Sequence, residues 1–358
     1  MQEKVIRGGG RQPYNQVVRN SNLELYRIIS MFLIVCHHYV VSSGLMDVMN
    51  VDPLSTNSIF YYIFGMWGKT AINCFLMITG YFMCTSKITF RKFMKLIVWI
   101  YFYKFLIYGV FLITGYESIG IKGIIKLLMP VWGFSSNFTS CFLAFWLCIP
   151  FLNVLVHNIT KKQHQYLLLL MLTIYTILPT IPFFHVQSNY IVWFSVLYFI
   201  ASYIRLYPES IYMYQSTKVW AWFSVLTMVL AMMSVVSLLW LTDKIGLNPG
   251  YCYSLVADSN KPLAVLVGFT TFMFFKNIKM QYNPLINKLG AVTFGVLLIH
   301  ANSDAMRQWL WRDVLDNAGH YSYPLYAIGC CLGVYLICSV IDYFRLRWIE
   351  PLYMNRIH

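Results

Sequence analysis

Along this chain apolar residues gather in runs of about twenty, separated by short stretches rich in lysine, arginine, asparagine and proline. A run of that length, wound as an α-helix rising ~1.5 Å per residue, crosses the ~30 Å of hydrocarbon in a bilayer. The pattern predicts an all-α fold, a polytopic membrane bundle of about ten transmembrane helices. Their expected ranges are 24–43, 60–84, 92–116, 141–156, 165–183, 190–207, 219–241, 261–275, 291–310 and 323–348. Residues 1–22, with three consecutive glycines, read as a mobile cytoplasmic tail without a signal-peptide cleavage pattern. Residues 23–358 read as a single integral membrane domain, with no internal repeat of the kind that builds transporters from inverted halves.

Composition sharpens the class. Hydrophobic residues make up 59% of the chain and charged residues only 11%, against roughly 25% charged in soluble domains. Soluble enzymes, secreted disulfide scaffolds and disordered proteins are excluded. The nine cysteines lie mostly inside apolar runs and show neither Cys-x-x-Cys nor Cys/His metal spacing, so they read as buried free thiols, and no metal site is expected. The net charge of +14 comes from basic residues concentrated in alternate loops. Lys87, Arg91, Lys92, Lys95, Arg205, Lys276, Lys288 and Arg345 fall on one side, and the opposite loops hold about a third as many cations with most of the acids, among them Asp47, Asp52, Asp258 and Asp313. By the positive-inside rule both termini are cytoplasmic, and the charge speaks of topology and anionic lipid, not nucleic acid. One outer stretch, Ile121–Leu128, is apolar with lysines four apart, as in a helix lying flat at the interface.

Ionisable groups inside a span are costly and are candidates for function. The first span holds Glu24, Arg27, His37 and His38. Arg27 and His38 are eleven residues apart, three helical turns plus ~20°, so they share a face at depths differing by ~16 Å. His37 points ~100° away from it. Glu24, three residues before Arg27, is placed to pair with it. A ligand entering from the cytoplasm with an anionic head and a reactive tail fits this spacing: the forked guanidinium holds phosphates, and a deep neutral imidazole accepts a proton from a hydroxyl. On spacing alone, a snorkelling Arg27 with both histidines bonded to backbone carbonyls fits equally well.

The Arg27-x10-His38 pattern, with an acid before the arginine, resembles the acyltransferase-3 family of bacterial integral membrane O-acyltransferases. Further motifs follow in the family's order: Phe75-Leu76-Met77-Ile78-Thr79-Gly80-Tyr81, the basic group Phe90-Arg91-Lys92-x-x-Lys95, Pro150-Phe151-Leu152-Asn153, and Thr293-Phe294-Gly295-Val296-Leu297-Leu298-Ile299-His300. Lys95 stands where many members have arginine, Leu297 where many have tyrosine, and Thr79 where the family has serine.

The resemblance, covering about residues 21–351, implies a multi-pass protein of the bacterial cytoplasmic membrane. It implies transfer of an acyl group, most often acetyl, from cytoplasmic acetyl-CoA or another acyl-CoA to a hydroxyl of a carbohydrate or lipid-linked saccharide of the cell envelope. His38 is then the essential histidine, as general base or transient acyl carrier, and Arg27 its basic partner. Arg91, Lys92 and Lys95 help hold the CoA phosphates, while Glu24, Thr79 and His300 support or line the site. Acyl-CoA enters as donor substrate and not as a resident cofactor. Membrane lipid, the saccharide acceptor and polysaccharide-assembly proteins are the implied partners. Some relatives carry an extracytoplasmic hydrolase-like domain; none follows here, so direct modification or hand-over to a separate partner is expected. Trp309 and Trp311, near Asp304, Arg307, Arg312 and Asp313 on the outer side, are the expected acceptor-facing aromatics. The competing class is a secondary transporter or flippase of a polysaccharide precursor, disfavoured by the missing repeat and by the scarcity of acids within spans.

Overall fold

The computed structural model describes residues 20–129, 137–181, 183, 184, 186, 189–210 and 215–354. Of the expected tail, residues 1–19 lie outside these, and the first helix already begins at Ser21. Among the described residues the fold is helical throughout, without a strand. In chain order come α1 (Ser21–Val41), α2 (Leu45–Met49), α3 (Thr56–Gly65), α4 (Trp67–Met83) and α5 (Phe90–Ile113). Next are α6 (Ile121–Leu128), α7 (Phe138–Asn158), α8 (Lys161–Leu172), α9 (Tyr190–Leu206) and α10 (Thr217–Lys244). The last five are α11 (Pro262–Asn277), α12 (Pro284–His300), α13 (Asp304–Gln308), α14 (Pro324–Phe344) and α15 (Glu350–Met354).

Starts are set locally. Thr89, Asn137, Thr160, Asn189, Ser216 and Asn283 each accept a first-turn N–H of the helix that follows. Pro262, Pro284 and Pro324 open their helices, where a missing N–H costs nothing. By length and hydropathy α1, α5, α7, α10 and the continuous Pro324–Met354 can each cross a bilayer; α9 and α11 are apolar but shorter.

Three of the expected spans are interrupted. Range 60–84 is split between α3 and α4 at Met66, where the Gly65 carbonyl accepts a bond from His37 Nδ1 at 2.7 Å; a side chain inserted into the helical ladder breaks it. Range 165–183 loses α geometry after Leu172, widening over Thr173–Ile177 and tightening over Leu178–Thr180. Pro179 has no N–H to offer the Tyr175 carbonyl, which instead accepts Asn260 Nδ2 at 2.7 Å. Range 291–310 stops at His300, and the chain bends by 94° into Asp304–Val314. There Asn302 Nδ2 donates back to Leu298 O at 2.8 Å, while Ser303 caps the new helix.

α1 is the hub. It packs against α3, α4, α11, α12 and α14, and α4 in turn packs against α9 and α11. The outer helices α5 and α10 leave rows of large apolar side chains exposed, including Phe105, Leu106, Val110, Trp222, Leu226, Leu230 and Met233. In water such surface would be covered; in a bilayer it is the lipid face.

Candidate active site

The site grows from the two ends of α1. At its C-terminal end His38 turns toward α12, and His38 Nδ1 lies 3.0 Å from His300 Nε2. The residues are 262 apart in sequence. The other nitrogen of His300, Nδ1, bonds the Val296 carbonyl one turn back at 2.6 Å. His300 is fully buried and His38 partly exposed. The Trp311 ring stands edge-on to His300, with centroids 6.3 Å apart, and edge-on to Tyr39 at 5.8 Å. His37 points elsewhere, as its 100° offset predicts. Its Nδ1 is held by Gly65 O, and its ring lies against Gly68, where any Cβ would overlap it. Of the three histidines, His37 and His300 spend a nitrogen on a backbone carbonyl; among the described residues, His38 bonds another imidazole instead.

At the other end Arg27 and Glu24 pair as the spacing predicts, with Nη1 at 3.4 Å from Oε2 and 3.5 Å from Oε1. Glu24 is buried against α12 at Gly290, whose missing side chain leaves the space the carboxylate fills. The Arg27 guanidinium lies 5.8 Å from the ring centroid of Phe75 on α4. Thr79 donates to Phe75 O at 3.0 Å, a bond within α4.

The basic cluster of α5 is drawn to the C-terminal segment. Lys95 Nζ forms an ion pair with Glu350, Arg91 Nη2 donates to Met354 O at 3.1 Å, and Lys92 Nζ donates to Lys87 O at 3.0 Å. Arg91 and Lys92 are exposed; Lys95 is half-buried. Trp309, half-buried, packs on Phe111 at 5.8 Å. Trp311, expected to face an acceptor, is instead fully buried and walls in the histidine pair. The bend after His300 turns its ring inward.

Sequence reasoning missed a polar cluster beside His37. Lys69 Nζ donates to Tyr190 OH at 2.6 Å and lies 3.4 Å from Asp258 Oδ1. One turn on, buried Asn73 donates to Ser259 O at 2.7 Å and accepts Trp193 Nε1 at 2.9 Å. The partners of Lys69 come from the start of α9 and from a distant loop, which its own helix does not reveal. At the His38 end of the bundle an open cavity of about 530 Å³ is lined by Asp47, Asp52, Ser55, Asn57 and Tyr321, among others. Among the described residues no three His, Cys, Asp or Glu side chains converge on a metal-sized site.

A family model described as an acyltransferase domain, Acyl_transf_3, matches residues 20–343, nearly the whole chain. Neither a curated protein nor a solved structure shows significant similarity.

Proposed function

The chain belongs to the acyltransferase-3 family, and from that premise we propose that it is an acyl-CoA-dependent O-acyltransferase of the bacterial cytoplasmic membrane. The acyl group is acetyl, and the acceptor is a hydroxyl of an extracytoplasmic or lipid-linked saccharide of the cell envelope. The observation that carries this reading is His38: a partly exposed imidazole near the end of an apolar helix, bonded through Nδ1 to a second imidazole; we assign its Nε2 to the substrate.

The chemistry needs little else. A thioester is already activated, so a base, an orienting surface and exclusion of water suffice. Nε2 of His38 takes the proton of the acceptor hydroxyl as its oxygen bonds to the thioester carbonyl carbon. The C–S bond then breaks, and the departing thiolate takes that proton back from Nε2. If the imidazole carries the acyl group transiently, Nε2 bonds the carbonyl carbon as the C–S bond breaks and CoA leaves as the thiolate; the acceptor oxygen then displaces Nε2, which takes the hydroxyl proton and passes it to that thiolate. The donor comes from the Arg27 end, ~16 Å away along the helix, a distance comparable to a pantetheine arm. Arg27 grips its phosphates, with exposed Arg91 and Lys92 adding charge at the mouth. Lys95, committed to Glu350, we read as structural. The acceptor comes from the other end, where the cavity's carboxylates, amide and hydroxyls suit the hydroxyls of a sugar.

Mass spectrometry of envelope glycans from a deletion strain tests the function. The expected result is polymer of normal amount lacking O-acyl groups, restored by the wild-type gene and not by His38→Ala. Loss of the polymer itself would favour a flippase, and unchanged acylation would exclude the proposed acceptor class.

A further inference from the structure

The hydrogen bonds of the histidine pair bear on its protons as well as its geometry. A backbone carbonyl has lone pairs and no proton, so the 2.6 Å contact between His300 Nδ1 and Val296 O requires a proton on that nitrogen. In a neutral His300 the remaining nitrogen, Nε2, then has only a lone pair. The 3.0 Å contact from Nε2 to His38 Nδ1 requires one proton between them, and it must come from His38. In the neutral pair His38 is therefore protonated on Nδ1 and bare on Nε2. The chain of donors runs from His38 through His300 to the backbone of α12.

We propose that His300 is a positioning residue, which holds His38 in the Nδ1–H tautomer and thereby makes Nε2 the reacting atom. The proposal rests on the acyl-transfer reading above and adds a role that proximity alone does not assign. Other features fit it. Val296 O lies one turn back on α12, and a carbonyl carries two lone pairs, so it can accept the imidazole beside its helical partner. Trp311 packs edge-on against His300, is itself backed by Tyr39, and restricts the rotation of the ring. His37 has its centroid 5.7 Å from that of His38, but its Nδ1 is committed to Gly65 O and it makes no bond to His38. Among the described residues no carboxylate bonds either ring of the pair, so its orientation rests on a neutral acceptor in place of the usual acid. When His38 takes up a proton at Nε2, its Nδ1–H still points at a lone pair, and the imidazolium keeps its partner.

The test is ¹⁵N NMR of the full-length protein, labelled at histidine, in lipid nanodiscs, with His38 assigned from the signals lost in His38→Ala. The wild type is expected to show a protonated Nδ1 and an unprotonated Nε2 at His38. In His300→Phe, which removes the acceptor, the Nε2–H tautomer should gain population. Acyl transfer should fall by roughly 10²-fold in kcat, with the KM for acyl-CoA unchanged. In His300→Gln a side-chain carbonyl oxygen replaces the accepting nitrogen, and most of both losses should be recovered. A wild-type His38 carrying its proton on Nε2 overturns the proposal, as does a His300→Gln variant no better than His300→Phe. The tautomer readout needs no turnover, so it stands or falls separately from the identity of the reaction.

Discussion

Histidines 37 and 38 are adjacent in sequence but meet different surroundings, and substitution should separate them. His38→Ala removes the proposed base; His37→Ala removes a bond to Gly65 O and a ring packed on Gly68, so it should retain most of the kcat. Gly68→Ala, which drives a methyl into the His37 ring, should lower stability by about 1–3 kcal/mol, seen as earlier thermal unfolding in detergent. Arg27→Lys keeps the charge and loses the fork, so the KM for acyl-CoA should rise more than kcat falls, as steady-state kinetics would show. At this scale the sequence was partly legible. The rise and rotation of a helix were enough to place Glu24, Arg27, His37 and His38 relative to one another, because all four lie on α1. The bond from His38 to His300 was not legible, because pairing residues 262 apart depends on how α1 and α12 cross. The burial of Trp311 was missed for a related reason: nothing local announces a bend of 94°.

Between elements, a buried ion pair at the end of α14 is tied to the middle of α5. Asp342 and Arg345 are almost wholly buried, with Arg345 Nε at 2.6 Å from Asp342 Oδ1, and Asp342 also accepts Trp99 Nε1 at 3.0 Å and Tyr103 OH at 2.8 Å. Arg345 continues to Glu350 at 2.9 Å, which in turn holds Lys95. Removing one member of a buried pair strands the other, so Asp342→Ala should cost about 3–5 kcal/mol. Lys95→Ala, at a half-exposed position, should cost less than ~1 kcal/mol and leave the KM for acyl-CoA nearly unchanged; a large rise would return Lys95 to the phosphate site. Element positions were legible for α5, α7, α9, α10, α11 and α14, whose apolar runs begin at a Ser, Thr, Asn or Pro, whereas α12 starts at Pro284, seven residues before the expected 291. They failed where a side chain from elsewhere took over a backbone group, as His37 does at Gly65 and Asn260 at Tyr175.

For the molecule as a whole, the alternation of basic loops predicts which ends of α1 face which compartment. Single-cysteine labelling in a background lacking the native cysteines should find Ser86→Cys protected in intact cells and Asp52→Cys labelled from outside. The reverse pattern would put Arg27 on the wrong side for a cytoplasmic donor. Orientation matters because the account divides one helix between two substrates, with phosphates at one end and the acceptor at the other. The most direct test is CoA release by purified protein supplied with labelled acetyl-CoA and an envelope saccharide acceptor. Wild type and His37→Ala should release CoA in step with acceptor acylation, and His38→Ala should lose the activity by at least ~10²-fold. Acyl transfer undiminished in a folded His38→Ala protein would contradict the account.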